Sequence, residues 1–149
     1  MGNIDMGRVL LGGLAAGVSS VVLQSLALVL GVRVSASLVR VPDVSFPAQL
    51  AMVLAEILIG GPAAVWLYAA IRPRFGPGPR TALIAALWIW LISGPYLQII
   101  LIGMGTLRLL SVSGLALLDV VGFVPMAVAL LIGAALYKER PSEAARPAQ

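Results

Sequence analysis

Four long runs that are almost free of charged residues constrain this sequence more than any other feature. Two carboxylates, Glu56 and Asp119, are the only charges inside them, and the runs lie between Arg8 and Arg33, Asp43 and Arg72, Arg80 and Arg108, and Arg108 and Lys138. Each run has roughly 24 to 28 residues, enough for a tilted helix to cross a hydrocarbon core of about 30 Å. Their apolar residues are continuous rather than alternating, which excludes transmembrane strands.

The composition also indicates a membrane protein. Of the 149 residues, 60% are hydrophobic and 11% are charged, and the mean hydropathy is +1.05. A soluble domain of this size needs far more charge to cover its surface. We therefore predict an all-α, polytopic integral membrane protein. It is one transmembrane domain, 1–149, built as a four-helix bundle with helices at about 8–31, 47–71, 80–103 and 111–137 and a polar tail at 138–149.

The basic residues predict the orientation. Seven fall on the side of the two termini and the second loop, and three fall on the opposite side. The seven are Arg8, Arg72, Arg74, Arg80, Lys138, Arg140 and Arg146. Because loops with more lysine and arginine stay in the cytoplasm, both termini are predicted to be cytoplasmic. These flanking residues also account for the net charge of +4, so we expect no nucleic-acid partner.

Missing residue types exclude several kinds of chemistry. The chain has no cysteine and no histidine, so disulfides, thiol nucleophiles, histidine bases and the usual zinc or haem ligands are impossible. We predict no catalytic residue, no metal site and no cofactor. A cleaved signal peptide is the rival interpretation of the first run, with a site near Val34 and Ala36. The run is too long for a typical signal sequence, and we expect no cleavage.

Polar residues within the runs are the candidate functional residues. A carboxylate in hydrocarbon costs roughly 2.5 to 3.5 kcal/mol on insertion scales, so it should face protein or water. At about 1.5 Å per residue, each helix carries one polar side chain at a similar depth. These four residues, the predicted polar layer, are Gln24, Glu56, Gln98 and Asp119. They form either a hydrogen-bonded structural layer or the lining of a cavity that carries protons or cations.

Small residues predict where the helices approach closely. Gly13 and Gly17 form a GxxxG pattern in the first run, and Gly133 lies on the stripe that includes Asp119. Such stripes let helix backbones pack, either within the chain or against a partner. Three runs also contain residues that interrupt regular helices, or breakers: Gly60-Gly61-Pro62, Gly94-Pro95 and Pro125. Proline kinks a helix, and broken helices form ion sites in some transporters.

The loops carry the remaining signals. The prolines of the basic loop at 72–80 are predicted to stop both flanking helices. Its arginines, Arg72, Arg74 and Arg80, are predicted to contact anionic lipid headgroups. The long connection at 33–47 has partly alternating residues that are compatible with a short strand or helix.

Two segments resemble a known group of proteins. They are residues 66–82 (WLYAAIRPRFGPGPRTA) and residues 3–13 (NIDMGRVLLGG). Both resemble segments of small, uncharacterised bacterial membrane proteins that are described only as domains of unknown function. The resemblance covers less than half of the chain. It implies four helices in a bacterial inner membrane and carries over no functional residue.

These observations favour a non-enzymatic protein. With so little mass outside the membrane, the chain is expected to act through its lipid-facing helices, as a structural or accessory subunit of a respiratory, photosynthetic or other membrane complex. The alternative is a small oligomeric transporter or channel for protons or cations that uses Glu56 and Asp119. The expected partners are lipids and either other membrane subunits or further copies of the chain.

Overall fold

Four membrane-length helices make up almost all of the structure. A computed structural model describes residues 4–29, 39–40, 45–104, 108–109 and 112–137. The helices are α1 (Met6–Val29), α2 (Phe46–Phe75), α3 (Pro79–Gly103) and α4 (Val112–Leu136), and all four are long and apolar enough to cross a membrane. This confirms the predicted all-helical class with four such helices.

The helices form a bundle in which α1 and α3 both pack between α2 and α4. Two short strands, β1 (Val39–Arg40) and β2 (Arg108–Leu109), pair antiparallel near one end, with Arg40 opposite Arg108 in the register. We call the half with this pair the ribbon end: residues 18–29, 46–60, 92–103 and 112–122. The other half, with the α2–α3 loop, is the loop end: residues 4–17, 61–91 and 123–137.

Burial is concentrated in the loop end. Its core contains many alanines, and the buried hydrophobic residues are Val9, Ala16, Val65, Tyr68, Ala69, Ala82, Ala85, Ala86, Ala127, Ala129, Leu130, Ala134 and Tyr137. Among the side chains that the structure describes in the ribbon end, only Ser20 is buried. Small side chains let helices approach closely, so the loop end is the tightly packed half.

Glycines make the closest contacts between helices. A Cβ added at Gly12 would lie 2.7 Å from the carbonyl oxygen of Gly133, and a Cβ added at Gly133 would lie 2.7 Å from the carbonyl oxygen of Gly12. The backbone of Gly13 lies against Gly61 and Pro62 in the same way. At these points any larger residue would push the backbones apart, so α1 is held against both α2 and α4 within the chain.

Two π turns interrupt two of the three helices that carry the predicted breakers, whereas α4 continues through Pro125 as an α-helix. Residues Glu56–Gly60 form one in α2, and residues Ile92–Tyr96 form the other in α3. A π turn contains an extra residue, so the residues after it shift around the helix by about 100°. The buried face after the first turn therefore includes Gly61 and Val65, whereas Ala63, which regular helical spacing would place on the same face as Glu56, is exposed.

The prediction that the loop prolines stop both helices is wrong for Pro73. Pro73 lies inside the last turn of α2, which continues to Phe75. The chain turns only at Gly76, whose φ of 82° lies in the left-handed region that glycine adopts readily. Pro79 begins α3, where its missing N–H has no helical partner to lose.

Candidate functional site

Asp119 and Gln98 join α4 to α3 in the ribbon end. The Gln98 side-chain amide donates a hydrogen bond to Asp119 Oδ1 at 2.8 Å. The indole N–H of Trp90 donates to the backbone carbonyl of Asp119, also at 2.8 Å. Gly94 makes room for the carboxylate, because a Cβ there would lie 3.3 Å from Oδ1. These four residues form a polar clamp, which ties α3 to α4 where packing is otherwise sparse.

One polar atom of the clamp has no hydrogen-bond partner among the described residues. Gln98 Oε1 is buried and accepts no hydrogen bond from the described part of the chain. Trp90 also contacts Phe123 edge-on, with ring centroids 5.5 Å apart. The clamp therefore combines two strong polar contacts with an aromatic one, and its geometry suits a structural role between helices.

Glu56 lies apart from the clamp, at the start of the α2 π turn. Its carboxylate folds back over Gly60, where an added Cβ would lie 2.9 Å from Oε2. None of the residues described in the structure donates a hydrogen bond to this carboxylate. Glu56 lines a cavity of about 140 Å³ to which all four helices contribute.

The backbone of α1 holds this π turn in place. A Cβ at Gly17 would lie 2.7 Å from the Cα of Ile57 and 3.0 Å from the carbonyl oxygen of Glu56. The second glycine of the GxxxG pattern thus positions the residue that carries the carboxylate. Gly13, one turn earlier, sets the same spacing at Gly61 and Pro62.

Gln24 belongs to the Glu56 side of the bundle. Its amide donates a hydrogen bond to Ser20 Oγ at 2.7 Å, and the buried Ser20 lines the same cavity as Glu56. The four residues of the predicted polar layer therefore separate into two groups. Gln98 and Asp119 bind each other, whereas Gln24 reaches the Glu56 cavity through Ser20.

Two hydroxyls that line the Glu56 cavity were not among the candidate functional residues predicted from the sequence. Ser20 lies one turn before Gln24 on the same stripe, and Ser93 lies next to Gly94. Ser93 Oγ donates to the carbonyl oxygen of Ile89 at 2.9 Å and also lines the cavity. Serine is common in membrane helices because it can bond the preceding turn, so its presence alone did not single out either residue.

The loop end carries a separate aromatic and basic cluster. Tyr68 and Tyr137 meet edge-on with ring centroids 6.1 Å apart, and the Arg72 guanidinium lies 5.7 Å from the Tyr137 ring centroid. Arg74 and Arg80 are exposed at the same end. Contact of the three arginines with lipid headgroups stays a prediction. Arg72 also contacts the Tyr137 ring within the chain.

Comparisons with known proteins add no further identification. No family model matches the chain, and no curated protein or solved structure is significantly similar to it.

Proposed function

We propose that the protein is a non-enzymatic structural or accessory subunit of a larger membrane complex, for example a respiratory or photosynthetic one. One observation carries this proposal. In the ribbon end, the segments Phe46–Ala55 and Leu97–Gly103 contain no buried residue. They expose large apolar side chains, among them Phe46, Met52 and Ile99.

The proposed occupant of this open half is a set of transmembrane helices from another membrane polypeptide. Lipid covers apolar side chains as well as protein does, so apolar exposure alone does not require a partner. Gln24 gives a further reason to expect a partner helix. Its side chain is exposed within α1, and its amide makes one hydrogen bond in the described structure. Hydrocarbon leaves the remaining amide groups unsatisfied, whereas a partner helix can bond them.

The proposed location is the inner membrane of a bacterium, with both termini in the cytoplasm. The bacterial assignment rests on the resemblance at residues 66–82. The orientation is supported by Arg8, Arg72, Arg74 and Arg80, which all lie at the loop end. Because the chain has no cysteine, a single cysteine placed at Pro77 should react with a membrane-impermeant thiol reagent only after the cells are opened. Labelling in intact cells would contradict this orientation.

The experiment is extraction of the full chain from native membranes in mild detergent, followed by native electrophoresis and mass spectrometry of co-migrating proteins. We expect stoichiometric migration with a large complex. Ile99→Trp, which adds bulk to a side chain that is 66% exposed in the ribbon end, should release the protein from the complex. Leu11→Trp is the matched control, because Leu11 is 69% exposed in the loop end.

Two outcomes count against the accessory-subunit proposal. One is migration of the wild-type chain as a monomer or small homo-oligomer. The other is equal release by the two tryptophan variants, which would show that the ribbon end is not the docking surface.

A second candidate function is a small oligomeric transporter or channel for protons or cations. The specific observation in its favour is the Glu56 carboxylate, which lines a cavity among the four helices without a hydrogen bond from the described residues. Flux of protons or cations into proteoliposomes, lost in Glu56→Gln, would support this candidate. Absence of flux with the folded wild-type protein would contradict it.

A further inference from the structure

The Glu56 cavity has the features of a small binding site. We propose that it binds a small alkylammonium ion, with the ammonium group at the Glu56 carboxylate and the alkyl chain against the apolar wall. This inference names a ligand class for the second candidate function and is independent of the accessory-subunit proposal. Binding is measured separately from flux and from complex formation, so each proposal can fail without the others.

The charge of the cavity favours a cation. Glu56 is the only charged residue among the described residues that line it, and the other polar residues in that set are Ser20 and Ser93. A carboxylate in apolar surroundings is costly unless donors or a counter-charge stabilise it. The described residues provide neither, so a cationic donor is the complementary ligand.

The serine hydroxyls also favour a ligand that donates hydrogen bonds. Ser93 uses its proton on the Ile89 carbonyl, which leaves the lone pairs of its oxygen available. Ser20 Oγ accepts one hydrogen bond from Gln24 and has a second lone pair. Together with the carboxylate, the cavity offers more acceptors than donors, as recognition of an ammonium group requires.

The rest of the lining favours an organic ion over a metal ion. Its wall is mainly apolar and includes Ile89, Met126 and Leu130. Calcium takes six to eight oxygen ligands and magnesium requires an octahedral set, whereas the lining side chains supply about four oxygens. No group of three metal-binding side chains occurs within the described ranges.

The volume indicates a small ligand. The cavity of about 140 Å³ lies below the range of about 300 to 1,000 Å³ that is typical of pockets for drug-sized molecules. n-Propylammonium, a short primary alkylammonium ion, is therefore the probe of choice. Pockets for small molecules commonly combine an apolar wall with a few placed polar groups, as this cavity does.

The test is isothermal titration calorimetry of the full-length protein in lipid nanodiscs with n-propylammonium chloride. We expect saturable binding that Glu56→Gln weakens by at least about tenfold, since the carboxylate supplies the charge. Ser93→Ala should weaken binding by about threefold, since it removes one neutral acceptor. Asp119→Asn is the matched control, because that carboxylate binds Gln98 and does not line the cavity, and its affinity should stay within about twofold of wild type.

Several outcomes would overturn the proposal. They are no binding by the folded wild-type protein, equal affinity for the neutral isostere 1-propanol, and Glu56-dependent binding of sodium with no binding of propylammonium. If Glu56→Gln does not fold, Glu56→Asp and Gly60→Ala replace it. The first shortens the carboxylate arm, and the second places a Cβ 2.9 Å from Oε2. Unchanged affinity in both folded variants would count against Glu56 as the ammonium ligand, because each variant shifts the carboxylate relative to the cavity.

Discussion

The two halves of the bundle pack in different ways. In the loop end, all four helices contribute to a core of alanines, a few larger apolar residues and two tyrosines. In the ribbon end, Ser20 is the single buried side chain among those described, and α3 meets α4 through the polar clamp. The helices are therefore held together by close backbone contact in the loop end and at its boundary with the ribbon end, where Gly17 meets Ile57. Further into the ribbon end, a few hydrogen bonds hold them.

Because of this difference, the tightest packing and the two candidate functional carboxylates lie in different halves of the bundle. Close packing of small residues leaves little free volume, so the loop end contributes most of the van der Waals attraction between helices. Glu56 and Asp119 both lie in the ribbon end, and the Glu56 cavity lies where the two halves meet. The sparsely packed half thus holds both carboxylates, and the cavity extends from Glu56 into the loop end.

The largest expected effect comes from placing the same bulky residue in each half. Gly61→Leu should prevent folding, or destabilise the bundle by more than about 3 kcal/mol, because its side chain would meet the Gly13 carbonyl and the backbone of Gly17. Gly122→Leu should be tolerated, because a Cβ at Gly122 has no neighbour within 4 Å in the described structure. The measurement is steric-trap unfolding in bicelles. Similar stabilities for the two variants would contradict the contrast between the halves.

A smaller effect should follow from shortening one apolar side chain in each half. Leu130→Ala should cost about 2 to 5 kcal/mol, because Leu130 is 2% exposed in the loop end and its removal leaves a cavity. Ile99→Ala should change stability by no more than about 0.5 kcal/mol, since Ile99 is a largely exposed ribbon-end residue. The same unfolding assay applies. A large loss in Ile99→Ala would show that the ribbon end packs within the isolated chain after all.

The smallest effect concerns the polar clamp. A double-mutant cycle with Gln98→Ala and Asp119→Ala should give a coupling energy between about 0.6 and 1.7 kcal/mol, the mean and the maximum found for side-chain hydrogen bonds between membrane helices. The control cycle pairs Gln24→Ala with Asp119→Ala, for which we expect a coupling close to zero, because Gln24 bonds Ser20 instead. Equal coupling in both cycles would mean that the four polar residues act as one layer.

Much of the architecture could be predicted because membrane helices follow local rules. The uncharged runs gave the number of helices, since every backbone group in hydrocarbon must be satisfied within a helix. The breakers at Gly60-Gly61-Pro62 and Gly94-Pro95 marked the two regions where the helices depart from regular geometry. Neither pattern indicates whether a breaker becomes a kink or a π turn, because that choice depends on the neighbouring helices.

The sequence by itself determined that this chain forms four apolar helices with a polar residue in each. Only the tertiary structure decided which of those polar residues meet. One extra residue in the α2 π turn rotates the following helix, so that Gly61 and Val65 face the core and Gly60 accommodates the Glu56 carboxylate. A regular helical projection does not contain that rotation. The second π turn, Ile92–Tyr96, precedes Gln98 in α3. Contacts between the helices place Gln98 with Asp119 and leave Glu56 facing a cavity.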